Sequence, residues 1–380
     1  MALGTAVGYN IANVGPAADT LAGVYGVRLG TIGFLTTALF VTHLVMQIPG
    51  GRLIDRHGAR TLGLAALGVI IVGNTLALMT PVLALGIAGR LVAGLGTGIG
   101  FIAGSEYVRA TVGSATAQGL YGAAGVGGGG LAIAIVPLVV PPLGWRAPYV
   151  TAAAAALLVL ASLPLAPRDR QRTARSRPAA ERAASVVRDR GLYPLAVAHT
   201  ASFGLSVIAG NWAVALLHRD GYGLRLSGAI GAMTLLGGLV TRPLGGRAVQ
   251  RWHERVAWLL AASMLVAAAG TILLLLDIPL AARIVGSALL GLAAGVPFAA
   301  AFGGAQLERP DAPAAAIGFV NSCATLVIVV GTPLLGFTFS LPGHGRVGFA
   351  GIAVLLALAS LAIRPSMLPM LRAHQPTDRF

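Results

Sequence analysis

The sequence has no lysine, one cysteine, and only 12 acidic residues among 380. Charged residues make up 10% of the chain and hydrophobic ones 56%; soluble domains carry about a quarter charged residues. So little charge excludes a disordered chain and an ordinary cytosolic enzyme, and a single cysteine excludes a disulfide scaffold. All 27 basic residues are arginine, giving a net charge of +15. Nothing in the physics bars lysine from these positions, so its absence reads as base composition of the gene. The positive charge lies in short clusters beside long apolar stretches, which predicts loops next to a lipid bilayer and no nucleic-acid partner. Metalloprotease spacing, paired intramembrane aspartates and a nucleophile with a neighbouring base are all missing, so no enzyme is predicted and no cofactor. The glycine-rich runs Gly94–Gly100 and Gly122–Gly130 lack the Gly-Lys-Ser/Thr of a phosphate loop and read as helix packing.

What remains is a polytopic membrane protein. A spanning helix needs about 20 apolar residues. Twelve segments approach that length: 1–16, 29–49, 61–80, 82–105, 116–140, 147–167, 192–217, 226–247, 256–276, 279–305, 314–340 and 346–364. The first ends at Pro16, about 22 Å of helix against a core of about 30 Å, and reads as a truncated helix whose N-terminal turns lie before Met1. With both termini in the cytoplasm, the cytoplasmic side holds 19 arginines and the external side five. The positive-inside rule therefore predicts that topology in a plasma or bacterial inner membrane. Residues 168–191 form an arginine-rich cytoplasmic linker between half 1–167 and half 192–365, with a tail at 366–380.

The halves repeat. PGGRLIDR at 49–56 matches LGGRAVQR at 244–251, an offset of 195. Arg90 matches Arg283 at an offset of 193, and Pro137 matches Pro333 at 196. Duplicated six-helix halves around a midplane site describe secondary transporters.

GGRLIDRHGAR at 50–60 resembles the G-x-L-x-D-R-x-G-R signature of the major facilitator superfamily, and GGRAVQRWHER at 245–255 is a degenerate copy. Arg90 with Gly94, and GWRAPY at 144–149, resemble the family's helix-four and helix-six segments. The resemblance implies an all-α integral membrane fold, twelve transmembrane helices in two pseudo-symmetric halves working by alternating access. It also implies that Gly51, Asp55, Arg56, Gly58 and Arg60 form a conformational gate between helices two and three. Within the superfamily the chain is most similar to the nitrate/nitrite porter and cyanate-permease group, through GVGGGG at 125–130 and TRPLGG at 241–246. Arg242 then stands where those porters grip their anion. Their second gripping arginine is Gln47 here, and their helix-five asparagine is missing.

Buried charge defaults to function in a membrane. Arg90, Arg242 and Arg283 lie inside segments, whereas no carboxylate lies more than about a turn inside one. Charge balance favours an anionic substrate. Interface snorkelling is the alternative for Arg283, four residues past Pro279. His43 and His199 are candidate proton carriers or ligands. Asn10, Asn321, Tyr9, Asn13, Asn211 and Trp212 are polar cavity candidates, with interhelical hydrogen bonding as their other role. The substrate site is thus expected among Arg242, Arg90, Gln47, His43, Asn10, His199 and Asn321. The expected function is transport of a small inorganic or organic anion by a monomer in the bilayer, with proton-coupled multidrug efflux as the rival. The rival lacks its helix-five motif and a buried carboxylate.

Overall fold

A computed structural model describes residues 1–112, 115–162, 165, 186–251 and 255–373. The linker expected at 168–191 falls outside the described residues up to 185, as does the tail beyond 373, and the Asp55 side chain is likewise not described. No strand occurs among the described residues, and each helix satisfies its own backbone groups, one of the two ways a chain can cross a bilayer.

Grouped across short breaks, the helices among the described residues make twelve segments. Segment α1 comprises Ala2–Ala12, a 3₁₀ turn Gly15–Ala17, and Ala18–Tyr25; α2 comprises Leu29–Val45 and Gln47–His57. Then come α3 (Ala59–Ala77), α4 (Leu83–Thr111), α5 (Ala115–Leu143) and α6 (Ala147–Ser162). The second half holds α7 (Leu192–Arg219), α8 (Leu224–Arg251), α9 (Val256–Leu275), α10 (Leu280–Glu308), α11 (Pro313–Thr338) and α12 (Arg346–Ala373). Nine described helical stretches are long and apolar enough to span a bilayer; one of them, Thr116–Ser162, holds α5 and α6. The stretches Ala2–Tyr25 and Leu29–Val45 qualify as a pair, bent by 119° where α1 turns into α2.

The expectation that the first helix stops at Pro16 is corrected. Pro16 lies in the first turn of the 3₁₀ element, where a missing N–H breaks no hydrogen bond, and the helix resumes to Tyr25. It ends at Gly26, whose φ of +65° supplies a left-handed cap.

The outside of the bundle is apolar. Leu158, Leu361, Val72 and Leu334 are all more than half exposed, as lipid-facing side chains are. The inside is polar in places and very tightly packed. Segment α7 is buried without interruption from Leu205 to Leu217, which puts it at the centre.

Glycine sets the helix spacing, and it does so twice. A Cβ on Gly73 would lie 2.5 Å from the Gly89 carbonyl oxygen where α3 crosses α4. One on Gly270 would lie 2.6 Å from the Gly286 oxygen where α9 crosses α10, and both crossings are reciprocal. Gly73 and Gly270 stand 197 positions apart, as do Gly89 and Gly286, so the sequence repeat is a repeat of close helix crossings.

Across the two halves, α5 runs along α8 and α2 along α11. Gly33 admits Pro333, whose Cα would be 2.7 Å from a Cβ there, and the Thr37 hydroxyl donates to the Val329 carbonyl at 2.7 Å. At the same end of the bundle, Asp19 of α1 accepts from Arg219 of α7 at 2.9 Å, with His218 at 3.5 Å. Gly15 lies against the backbone of Asn211 there, leaving no room for a side chain.

Gly270→Ala is expected to lower stability by about 1–3 kcal/mol, since its methyl meets backbone that cannot step aside. Gly68→Ala, which meets nothing within 4 Å, should leave stability unchanged or slightly raised. Thermal unfolding in detergent separates the two.

Candidate functional site

Three helices become irregular around one side chain. After His199, α7 widens into a π turn, Thr200–Gly204. Pro243 follows Arg242 directly inside α8, and Pro297 restarts α10 just before Phe298. A π turn and mid-helix prolines each give up regular backbone hydrogen bonds, and such defects gather at working sites.

Arg242 is 3% exposed. Its Nη1 donates to the carbonyl of Gly122 on α5 at 2.7 Å, a bond that joins the two halves. Its Cζ lies 4.1 Å from the centre of the Phe298 ring and 5.7 Å from that of Phe203, so π faces cover the cation. Its Nε has no partner. The Nε side looks toward Gly238 and a cavity of about 10 Å³ lined by Val126, Ser202, Ser206, Thr234 and Gly238. That volume holds about one water. Ser206 Oγ is also unpartnered.

His199 shares the cluster. Its ring stacks on Phe203 at 5.4 Å and packs against Phe302 at 4.7 Å and Phe298 at 5.7 Å. His199 Nε2 and Asn321 Oδ1 are 3.2 Å apart. Because the amide oxygen accepts, Nε2 carries the proton, leaving Nδ1 a buried acceptor with no partner. The fold therefore brings together three of the expected residues: Arg242, His199 and Asn321.

The cavity lining includes no carboxylate. A guanidinium kept from water is stabilised only by what surrounds it, and here that is one carbonyl, two ring faces and hydroxyl dipoles. The other two buried arginines are provided for differently. Arg283, fully buried, donates to Asp220 at 2.5 Å and to Asp277 at 3.4 Å, with Arg346 on the other Asp220 oxygen at 2.9 Å. The snorkelling alternative for Arg283 is thus corrected: the side chain is fully buried, and its shorter bond goes to a carboxylate 63 residues away in sequence, at the end of α7. Arg90 is held by neutral acceptors instead: the Leu35 carbonyl at 3.2 Å, Asn13 Oδ1 at 3.0 Å and the Asn10 carbonyl at 2.8 Å. Asn74 donates to Asn10 Oδ1 at 2.8 Å and ties α3 to the same network. Arg90 and Asn10 thereby bind α1, α2, α3 and α4 together, away from Arg242.

The remaining expected residues are scattered. His43 Nδ1 meets the Thr97 hydroxyl at 3.2 Å between the rings of Phe40 and Phe101, inside the first half. Gln47 begins the second stretch of α2, half-buried, with Nε2 unpartnered. Gly58 joins α2 to α3 with a φ of +83°, which only glycine adopts without strain; Gly51 faces open space and Arg56 is exposed. Arg60 is half-buried on α3.

Phe203, Phe298, Phe302 and the Gly122 carbonyl were not singled out by the sequence. Phenylalanine in a membrane helix carries no signal of its own, and only Pro297 beside Phe298 marks the place. Asp220→Asn is expected to destabilise the fold by about 3–5 kcal/mol, because Arg283 would lose its partner while fully buried. Glu106→Gln, which removes an exposed pairing with Arg109 one turn away, should cost at most about 1 kcal/mol. Chemical or thermal unfolding of the two variants checks the contrast.

The family model of the Major Facilitator Superfamily matches residues 1–332. No curated protein matches the chain. Among solved structures, a mutant of the nucleoside transporter NupG is similar at a TM-score of 0.72, covering 95% of this chain and 98% of its own. Sequence identity is 12%, so that likeness concerns the fold. Twelve described helical segments, a repeat carried in helix crossings and a family match over most of the chain together mean that this protein is a membrane transporter belonging to the major facilitator superfamily.

Proposed function

We propose that this transporter carries a small anion by alternating access and that Arg242 is the charge that meets it. The observation carrying this reading is the Nε of Arg242: a donor on a buried cation, without a partner, beside hydroxyl-lined space free of carboxylate. Nitrate, nitrite, cyanate and small carboxylates are all acceptors that such an edge would hold by charge-assisted hydrogen bonds. Ser202, Ser206 and Thr234 would add neutral hydroxyl contacts, and Asn321 would hold the His199 ring beside the guanidinium.

Orientation follows from the arginine bias, with both termini cytoplasmic and the Asp19–Arg219 pair at the external end. On this reading the Gly51–Arg60 turn gates the cytoplasmic side. Arg90, held by protein acceptors, serves as a brace for the first half. The rival, efflux of lipophilic cations, would place a positive substrate against Arg242 without an acid to offset either charge.

Ligands that bind only the native state raise its melting temperature. In detergent, nitrate, nitrite, cyanate or a small carboxylate is expected to stabilise the wild-type protein, and Arg242→Gln should remove the shift. Stabilisation by lipophilic cations alone, or an unchanged anion shift in Arg242→Gln, would contradict the reading.

A further inference from the structure

An anion carrier that depends on one buried cation faces a question on its return stroke: what holds the charge when no anion travels with it. A guanidinium without a partner in a low-dielectric core bars the unloaded conformer, and such a carrier runs only as an exchanger. This chain has an answer in its own atoms, and the answer rests on the anion reading above.

Arg242 Nη1 donates to the Gly122 carbonyl at 2.7 Å, and donor and acceptor belong to opposite halves. The contact is built around a missing side chain. A Cβ on Gly122 would run into the ring of Phe298, the same ring that lies 4.1 Å from the guanidinium carbon. Gly122, Phe298 and Arg242 therefore form one unit contributed by α5, α10 and α8. Only glycine at 122 lets the ring and the carbonyl reach the cation together.

The donors are divided as well. Nη1 is engaged by the protein, whereas Nε faces the small polar cavity without a partner. At the Asp19 end the halves are closed independently, through Asp19 with Arg219 at 2.9 Å and Gly15 against Asn211. The charge is thus held by the protein in a conformation sealed at that end.

We infer that the Gly122 carbonyl and the Phe298 ring act as a resident substitute for the anion, so that the transporter reorients unloaded and catalyses net flux as well as exchange. Phe298 is then a positioning residue for the transport cycle: it shields the cation that the Gly122 carbonyl binds.

The test uses the full chain in liposomes loaded with radiolabelled formate or isotopically labelled nitrate, under a potassium–valinomycin voltage clamp. Efflux is compared between an outside medium free of transported anion and one containing the same anion. Net efflux within about tenfold of exchange is expected, a difference of about 1.4 kcal/mol in barrier at most. Phe298→Leu, which keeps an apolar side chain but removes the π face, should lower the ratio of net efflux to exchange, and Gly122→Ala should lower it in the same direction. Efflux seen only against an outside anion would overturn this inference and leave the anion reading standing. No movement of either anion in either medium would overturn both.

Discussion

A permanent positive charge kept out of water, beside a cavity whose lining holds no carboxylate, is the constraint around which the centre of this protein is arranged. Arginine stays protonated at any physiological pH, so a buried guanidinium must be matched by something that accepts hydrogen bonds or offers negative potential. Each of the three buried arginines solves this differently. Arg283 has Asp220 and Asp277. Arg90 has two carbonyls and an asparagine oxygen. Arg242 has one carbonyl from the opposite half, two ring faces and an unpartnered Nε. Arg283 also has an unpartnered Nε, but two carboxylates match its charge, and Arg90 is held by three neutral acceptors, so both read as architecture. Arg242 alone of the three joins an open donor to a cavity lining without a carboxylate, and that combination separates a ligand site from a brace.

The same economy of space supports the mechanism. Paired glycines at 73 and 89, and again at 270 and 286, bring helix backbones together within each half, so each half is closely packed at a matching crossing. Between the halves, α5 packs along α8 and α2 along α11, and the specific contacts include the Asp19–Arg219 ion pair, backbone against glycine at Gly15 and Gly33, the Thr37–Val329 bond and the Arg242–Gly122 bond. Two packed halves that meet along helix pairs suit alternating access, in which one half rocks against the other. The seam and the site share one guanidinium, through Nη1 and Nε of Arg242, which is how occupancy would be felt by the halves.

Much of this was legible in the sequence. Hydropathy and the offset of about 195 residues give the segments and the repeat, because a bilayer forces every span to announce itself in composition. Buried arginines stand out for the same reason. Their partners do not. Nothing local ties Asp220 to Arg283, or Gly122 to Arg242, since both contacts close over long stretches of chain. Pro16 misled as a stop signal because a proline that opens a turn looks, in sequence, like one that closes a helix. Of the seven residues expected at the substrate site, Arg242, His199 and Asn321 meet, whereas Arg90 and Asn10 meet each other elsewhere. One-dimensional reasoning finds polar residues in membrane helices but cannot assign them to the same face of the same cavity.

The central claim is that Arg242 receives an anion, and the most direct measurement is anomalous scattering from crystals soaked in bromide, with bromate as a larger oxyanion. The account predicts an anomalous peak beside Arg242 Nε, among Ser202, Ser206 and Thr234, and none within the Arg90 or Arg283 networks. Peaks confined to the surface arginines, with the space beside Nε unoccupied under the same soak, would contradict it.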